Sequence, residues 1–324
     1  MRKDKTTEQF QWFFYGNILP FQYIRMKFKG YMLGILSSVS FGLIPIFILP
    51  LKKAHFSMDI TLFYRFLFSA LMVGAYLLYS KQGLRINKKE ALILAVLGVC
   101  YALSSEFLFI GYDYLTPGIA STVLFIYPVM VALIMFFFYK EKLSQMSVLS
   151  LLLAFAGVIV LCLKGQGFEI NFAGLGVVML SSLFYALYMV IVNKSRLKVS
   201  GFKLSFYSML FTSVFFMSKA SLAGESFAIP SVFVFINFII FAFLTTVISS
   251  LCLVYAIKYI GSTPTAILGA LEPVVAVMVS VFMFHEHFTQ NLLIGIVLIL
   301  SGVTLNVIAD HRQSKREKKI IKNA

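Results

Sequence analysis

Apolar runs of bilayer-crossing length follow one another almost without pause along this chain. A helix needs roughly 20 mostly apolar residues to cross a hydrocarbon core of about 30 Å at 1.5 Å per residue. Ten such runs are expected, at 30–51, 58–80, 90–111, 117–139 and 147–164 in the first half and at 171–193, 203–222, 231–257, 262–284 and 290–309 in the second. The span at 147–164 is short, and Lys203 blurs the start of 203–222. With 60% apolar and 13% charged residues and a mean hydropathy of +0.91, the chain is excluded from the class of ordinary soluble enzymes. A transmembrane barrel would show short alternating segments, whereas Thr122–Tyr139 is continuously apolar, so the fold class expected is an all-α integral membrane protein.

The net charge of +15 would suit a nucleic-acid partner if it formed a soluble face, but the cations sit between the apolar runs. Of twenty-eight Lys and Arg, twenty-three fall in alternate segments that share one side with both termini; Lys52, Lys53, Lys164 and Lys219 fall on the other, and Arg65 lies within a span. Positive charge is retained on the cytoplasmic side, which places both termini in the cytoplasm. The basic tail, 310–324, reads as an orienting segment near anionic lipid. Ahead of the first span, residues 1–29 carry the aromatic stretch Phe10–Tyr15 and Pro20 without a cleavable signal pattern. Met26 is a candidate translation start there. Cys100, Cys162 and Cys252 all fall in spans and suggest small buried apolar groups, not a disulfide framework.

A shift of 145 residues lays Tyr127-Pro128-Val129 and Glu141 on Glu272-Pro273-Val274 and Glu286 without a gap. The same shift brings Ser104-Ser105 onto Ser249-Ser250 and Gly157-Val158 onto Gly302-Val303, and a shift of 144 brings Ser37-Ser38 onto Ser181-Ser182. Each half holds five spans, an odd number, so the second copy enters the membrane from the opposite side. Ten helices in two inverted five-helix repeats, 30–164 and 171–309, are therefore expected. Alternating access is the natural use of that symmetry.

These paired motifs resemble the EamA-type members of the drug/metabolite transporter superfamily over residues 30–310. The carriers are Tyr127-Pro128-Val129 through Glu141-Lys-Leu-Ser144, Leu271-Glu-Pro-Val274 through Glu286-His-Phe-Thr289, and the following Gly157 and Gly302. Lys140 and His285 stand where the family usually has Gly. The resemblance implies export of a small polar or amphipathic metabolite across the bacterial cytoplasmic membrane. The partners implied are that small-molecule substrate and membrane lipid, with no nucleic acid; no cofactor is implied, and proton coupling stays open beside passive facilitation. Oligomeric state is not encoded in any motif.

Charge inside a bilayer costs about 2.5–3.5 kcal/mol per residue on insertion scales, so Arg65, Glu106 and Glu272 need explanation first. Pro128 and Pro273 fall near mid-span, where each frees a carbonyl four residues earlier, at Leu124 and Gly269; Pro45 is a third kink candidate. Glu272 is expected to face a cavity, binding a cationic substrate group or taking up a proton, with its repeat mate Tyr127 offering a hydroxyl from the other half; the alternative is a protonated carboxyl bonded to a neighbouring helix. Arg65 and Glu106 agree in depth to within a few ångströms, which predicts an ion pair or shared polar network, with snorkelling of Arg65 as the alternative. Tyr101, Ser104, Ser105, Ser249, Ser250 and Tyr185 complete the substrate-path candidates, although paired hydroxyls equally suit helix packing, as does the four-residue repeat of Gly30, Gly34, Ser38 and Gly42.

Glu141 and Glu286 each precede an N-cap candidate, Ser144 or Thr289, by three residues. His285-Glu286-His287 lacks metal-site spacing, and no metal is expected. Four His and no clustered Asp leave little for a membrane enzyme, and a non-transporting scaffold is the other different class. There is no Walker motif for ATP-driven pumping.

Overall fold

The computed structural model describes residues 25–53, 56–114, 120, 123–140, 144–162, 172–195, 197–229, 231–284, 290, 293–305 and 308–309. Outside them lie the aromatic N-terminal stretch, Glu141, Glu286 with its flanking histidines, Thr289 and the basic tail. The side chains of Pro45 and Cys162 also lie outside what is described. Each expected apolar run is met by helix, and no strand occurs among the described residues.

Five helices are long and apolar enough to cross a bilayer: Arg25–Ile48, Met58–Tyr79, Lys88–Tyr114, Phe172–Lys194 and Val232–Ile260. Here they are the first, second, third, sixth and eighth spans. Shorter helices supply the fourth (Tyr127–Tyr139), the fifth (Gln145–Cys162), the ninth (Ser262–Leu268 and Leu271–Phe284) and the tenth (Leu293–Leu305). The seventh, Gly201–Leu222, is less apolar because it buries Ser205, Ser208, Thr212 and Ser213. Its start is set by Ser200, whose Oγ accepts the Lys203 amide at 3.2 Å, so a lysine in the first turn does not delay the helix.

The core lies between the halves. The second span packs along the seventh and eighth, the third along the sixth and seventh, and the fourth along the sixth and ninth. Hydrogen bonds cross this seam in matched pairs. Ser37 Oγ donates to the Ser249 carbonyl at 2.9 Å, and Ser181 Oγ donates to the Ser104 carbonyl at 2.6 Å. Ser38 Oγ reaches the carbonyls of Gly34 (3.0 Å) and Leu268 (3.1 Å), and Ser182 Oγ reaches those of Val178 (3.0 Å) and Val123 (3.1 Å).

The second and seventh helices match at a different offset, 143 residues. Both have 22 residues and begin after a capping serine, Ser57 or Ser200. Tyr64 donates its hydroxyl to the Phe227 carbonyl at 2.5 Å, and its mate Tyr207 donates to the Leu84 carbonyl at 2.6 Å. These contacts tie down loops at the two ends of the molecule, the Ser57 end and the Ser200 end. Contacts that coincide in sequence offset but fall on opposite faces are what inverted repeats produce, so the molecule is a multi-pass α-helical membrane protein of two inverted halves.

Both half-cores contain a broken helix. The fourth span is interrupted at Phe125–Ile126, just before the segment carrying Pro128, and the ninth at Gly269–Ala270, just before the segment carrying Pro273. Each proline thus sits in the first turn of a new helix, where no backbone N–H is required. The freed Leu124 carbonyl accepts Ser182 Oγ at 2.9 Å, and the Gly269 carbonyl accepts the Glu272 amide at 2.9 Å. The first span breaks at Leu43, two residues before Pro45.

Gly157 and Gly302 join the fifth and tenth helices. A Cβ on Gly302 would stand 2.7 Å from the Ser150 carbonyl oxygen, and one on Gly157 would stand 2.8 Å from that of Gly295. Both obstacles are backbone, so relief requires the helices to part. Gly302→Val should destabilise the protein by about 1–3 kcal/mol, read as a lower Tm of the detergent-solubilised chain. Ser301→Ala, on the exposed side of the same helix, should leave Tm unchanged.

Candidate functional site

The two helix breaks bring Tyr127 and the Glu272 segment together. Tyr127 is 2% exposed, and its hydroxyl occupies the space a Cβ on Gly269 would need, three residues ahead of Glu272. Gly42 of the first span lies against the Glu272 carbonyl, where a Cβ would approach to 2.8 Å. The Glu272 carboxyl lies within electrostatic range of Tyr127, Tyr185 and Tyr101, and has no hydrogen-bond or ion-pair partner among the described residues. Tyr127 meets Tyr185 edge to face at 4.8 Å between centroids, and Tyr101 stacks on Tyr188 at 5.2 Å. The centre is therefore a tyrosine-walled polar region with one carboxyl among the described residues, that of Glu272. Tyr255 is elsewhere, packed on Gly201 and Phe202 near the Ser200 end.

Arg65 is buried on the second helix. Its Nε donates to Thr246 Oγ1 at 2.6 Å, and its guanidinium lies 4.9 Å from the Phe241 ring centroid and 5.3 Å from that of Phe66. Thr246 belongs to a π-helical segment, Phe243–Ile248, within the eighth span, a distortion that commonly marks functional positions. Neither the hydroxyl nor the distortion is foreshadowed by periodicity.

The expected pairing of Arg65 with Glu106 does not form, nor does Arg65 snorkel. Glu106 instead pairs with Lys219 of the seventh helix, and Lys219 Nζ also reaches Asp59 Oδ1 at 2.9 Å. Equal depth does not imply a shared face. At about 100° per residue, Arg65 projects some 120° around its helix from Asp59. The lysine clasp closes part of a cavity of about 370 Å³ at the Ser57 end, whose lining includes Asp59, Glu106, Asp113, Lys219 and Glu225. Ser57 Oγ donates to Glu225 Oε2 at 2.5 Å, joining two residues of that lining.

Most of the paired serines serve the seam. Ser104 contacts Ser181, and Ser249 Oγ turns back to the carbonyls of Thr245 and Thr246. Ser250 Oγ is 3.3 Å from the Tyr101 hydroxyl and so borders the tyrosine region, while Ser105 is half-buried. The small-residue stripe is also packing: Gly30 meets Tyr259 and Ile260, and Gly34 meets Leu268. Ser144 caps the fifth helix by accepting the Ser147 amide at 3.0 Å.

Comparison with known proteins agrees with this architecture. The model of the EamA-like transporter family matches residues 28–163 and 172–308. The uncharacterized transporter YvbV of Bacillus subtilis (strain 168) is 25% identical over 246 residues, covering 72% of this chain and 79% of its own length. The uncharacterized transporter YxxF of the same organism is 26% identical over 288 residues, covering 87% and 89%. A crystal structure of another protein superimposes with a TM-score of 0.72 at 17% identity, over 88% of this chain and 98% of that one, a likeness of fold.

The ion pairing is separable by charge exchange. Lys219→Glu should lower Tm, and adding Glu106→Lys should restore part of the loss. Exchanging Arg65 and Glu106 in the same way should give no rescue. A double-mutant cycle with coupling between Arg65 and Glu106 instead of Lys219 and Glu106 would contradict the assignment.

Proposed function

The chain belongs to the EamA-like transporter family, and we propose that it works as a secondary transporter, exporting a small polar or amphipathic metabolite by alternating access. The observation that carries this reading is the mated pair of loop contacts, Tyr64 to Phe227 at one face and Tyr207 to Leu84 at the other. A transporter of this design needs two closures of comparable geometry, one on each side of a fixed central site. The central site in this reading is Glu272 with Tyr127, Tyr185 and Tyr101, reached by a passage that opens between the halves when one closure parts. The Ser57 face, with its acidic cavity, is the outer one, and both termini lie in the cytoplasm, in keeping with the excess of Lys and Arg on their side. The chain carries out translocation without chemical conversion of the solute, in the bacterial cytoplasmic membrane.

Glu272 supplies the charge that distinguishes the site from its mate in the first half. It attracts a cationic group of the solute when ionised and offers a proton-exchange point when empty. Counterflow of a radiolabelled metabolite panel in proteoliposomes tests the reading. Glu272→Gln should reduce flux of cationic or zwitterionic solutes at least tenfold and flatten its response to an imposed pH gradient. Unchanged flux and pH response would remove Glu272 from the site, while wild-type flux indifferent to the gradient would mark passive facilitation.

The closures give an independent check. Tyr64→Phe should favour the outward-open form and Tyr207→Phe the inward-open form. Single cysteines placed along the passage, in a background lacking Cys100, Cys162 and Cys252, should react faster with an impermeant maleimide from outside in the first variant and slower in the second. Equal labelling in both would sink the gating role.

A further inference from the structure

Arg65 is 4% exposed, yet no carboxylate among the described residues pairs with it. Its one hydrogen-bonded nitrogen is Nε, on Thr246, which leaves the terminal N–H groups of the guanidinium without an acceptor among the described residues. Phe66 and Phe241 lie against the guanidinium and restrict it, and its electrostatic neighbours are the hydroxyls of Tyr101, Tyr112 and Tyr185. Glu106, the carboxylate nearest in depth, is engaged by Lys219. A buried cation with no counter-ion is costly, and a planar fork of free donors fits a bidentate oxyanion better than any neutral group. The repeat mate of Arg65 is Ser208, so symmetry does not demand the charge. The π-helical distortion that presents Thr246 falls at the contact with Arg65.

We propose that Arg65 docks the anionic group, a carboxylate or phosphate, of the transported solute. Phe66, which lies against Arg65, meets Tyr101 edge to face at 5.2 Å, and Tyr185 meets Tyr127 beside the Glu272 segment at 4.8 Å, so aromatic rings flank both charged groups. A solute lying along them places its anionic end at Arg65 and, on the reading of Glu272 given above, its cationic end at that carboxyl. Its aliphatic or aromatic body packs on the tyrosine rings.

The test uses the full-length protein in proteoliposomes and three probes of one skeleton: leucine, leucinamide, which lacks the carboxylate, and 4-methylpentanoate, which lacks the ammonium. Arg65→Met keeps a long side chain between the phenylalanine rings and should lower the 4-methylpentanoate-to-leucinamide flux ratio at least tenfold. Arg65→Lys should recover part of that ratio, and Glu272→Gln should move it in the opposite direction. A folded Arg65→Met protein with the wild-type ratio overturns the proposal while leaving the Glu272 reading intact.

Replacement of chloride by methanesulfonate separates the alternative source of the anion. If wild-type flux of all three probes falls together and Arg65→Met abolishes that chloride dependence, a free inorganic anion fills the site and the proposal fails. If no probe moves in wild type, the transport reading fails and Arg65 is judged on binding: 4-methylpentanoate should raise the Tm of the wild type and not of Arg65→Met, and equal shifts or none overturn the assignment.

Discussion

Backbone groups inside a bilayer have no water to bond, and this constraint governs how the two halves meet. Breaking the fourth and ninth spans at mid-depth loosens carbonyls that an unbroken helix would satisfy. Ser182 answers on one side, taking the carbonyls of Val123 and Leu124; Ser38 answers on the other, taking that of Leu268. Each serine belongs to the opposite half from the break it caps. The broken helices that shape the centre therefore depend on the interface between repeats, and single bonds worth about 0.6 kcal/mol on average act as a set because they fix the same seam.

Symmetry also separates scaffold from function. Where the halves agree, as at Ser37 and Ser181, Ser38 and Ser182, or Tyr64 and Tyr207, the residues hold helices and loops. Where they disagree, charge enters. Glu272 stands opposite Tyr127 and Arg65 opposite Ser208, and Thr246, the neutral partner of Arg65, stands opposite Tyr101. A duplicated scaffold supplies two equivalent places at the centre, and substitution in one copy makes the pair chemically polar. This asymmetry is the physical ground for the proposal that one end of a solute meets Glu272 and the other Arg65.

Much of this was legible in the sequence because it is one-dimensional. Run length gives the spans, proline position gives the two central breaks, and a gapless offset gives the repeat and the juxtaposition of Tyr127 with the Glu272 segment. The polar partners of Arg65 and Glu106 were not legible, since depth along a helix leaves azimuth free and three helices meet at Lys219. That lysine was visible as one of four cations on the sparsely charged side, but nothing in its run marked it as an ion-pair partner. Tyr64 and Tyr207 escaped because their helices align at an offset of 143, whereas the strongest motifs align at 145. Thr246 owes its role to a π-helical register that apolar periodicity does not reveal.

The two faces are alike in backbone closure but not in chemistry, and in the alternating-access cycle proposed above that difference sets the balance between them. Lys219 and Asp59 form an ion pair at the Ser57 face; their mates Tyr76 and Phe202 meet as rings at 4.5 Å between centroids at the Ser200 face. Mated tyrosine contacts on their own would leave the two closures nearly equal in free energy. An ion pair at a half-exposed lysine contributes little in water and is weakened by salt, whereas the aromatic contact is largely indifferent to ionic strength. A difference of about 1.4 kcal/mol changes the population ratio tenfold, so a modest ionic term suffices to tilt the resting state. In the alternating-access cycle proposed above, a solute whose own charges compete for Asp59 or Glu106 removes that tilt. Coupling between occupancy and opening then follows from electrostatics at the cavity without any change in the serine seam.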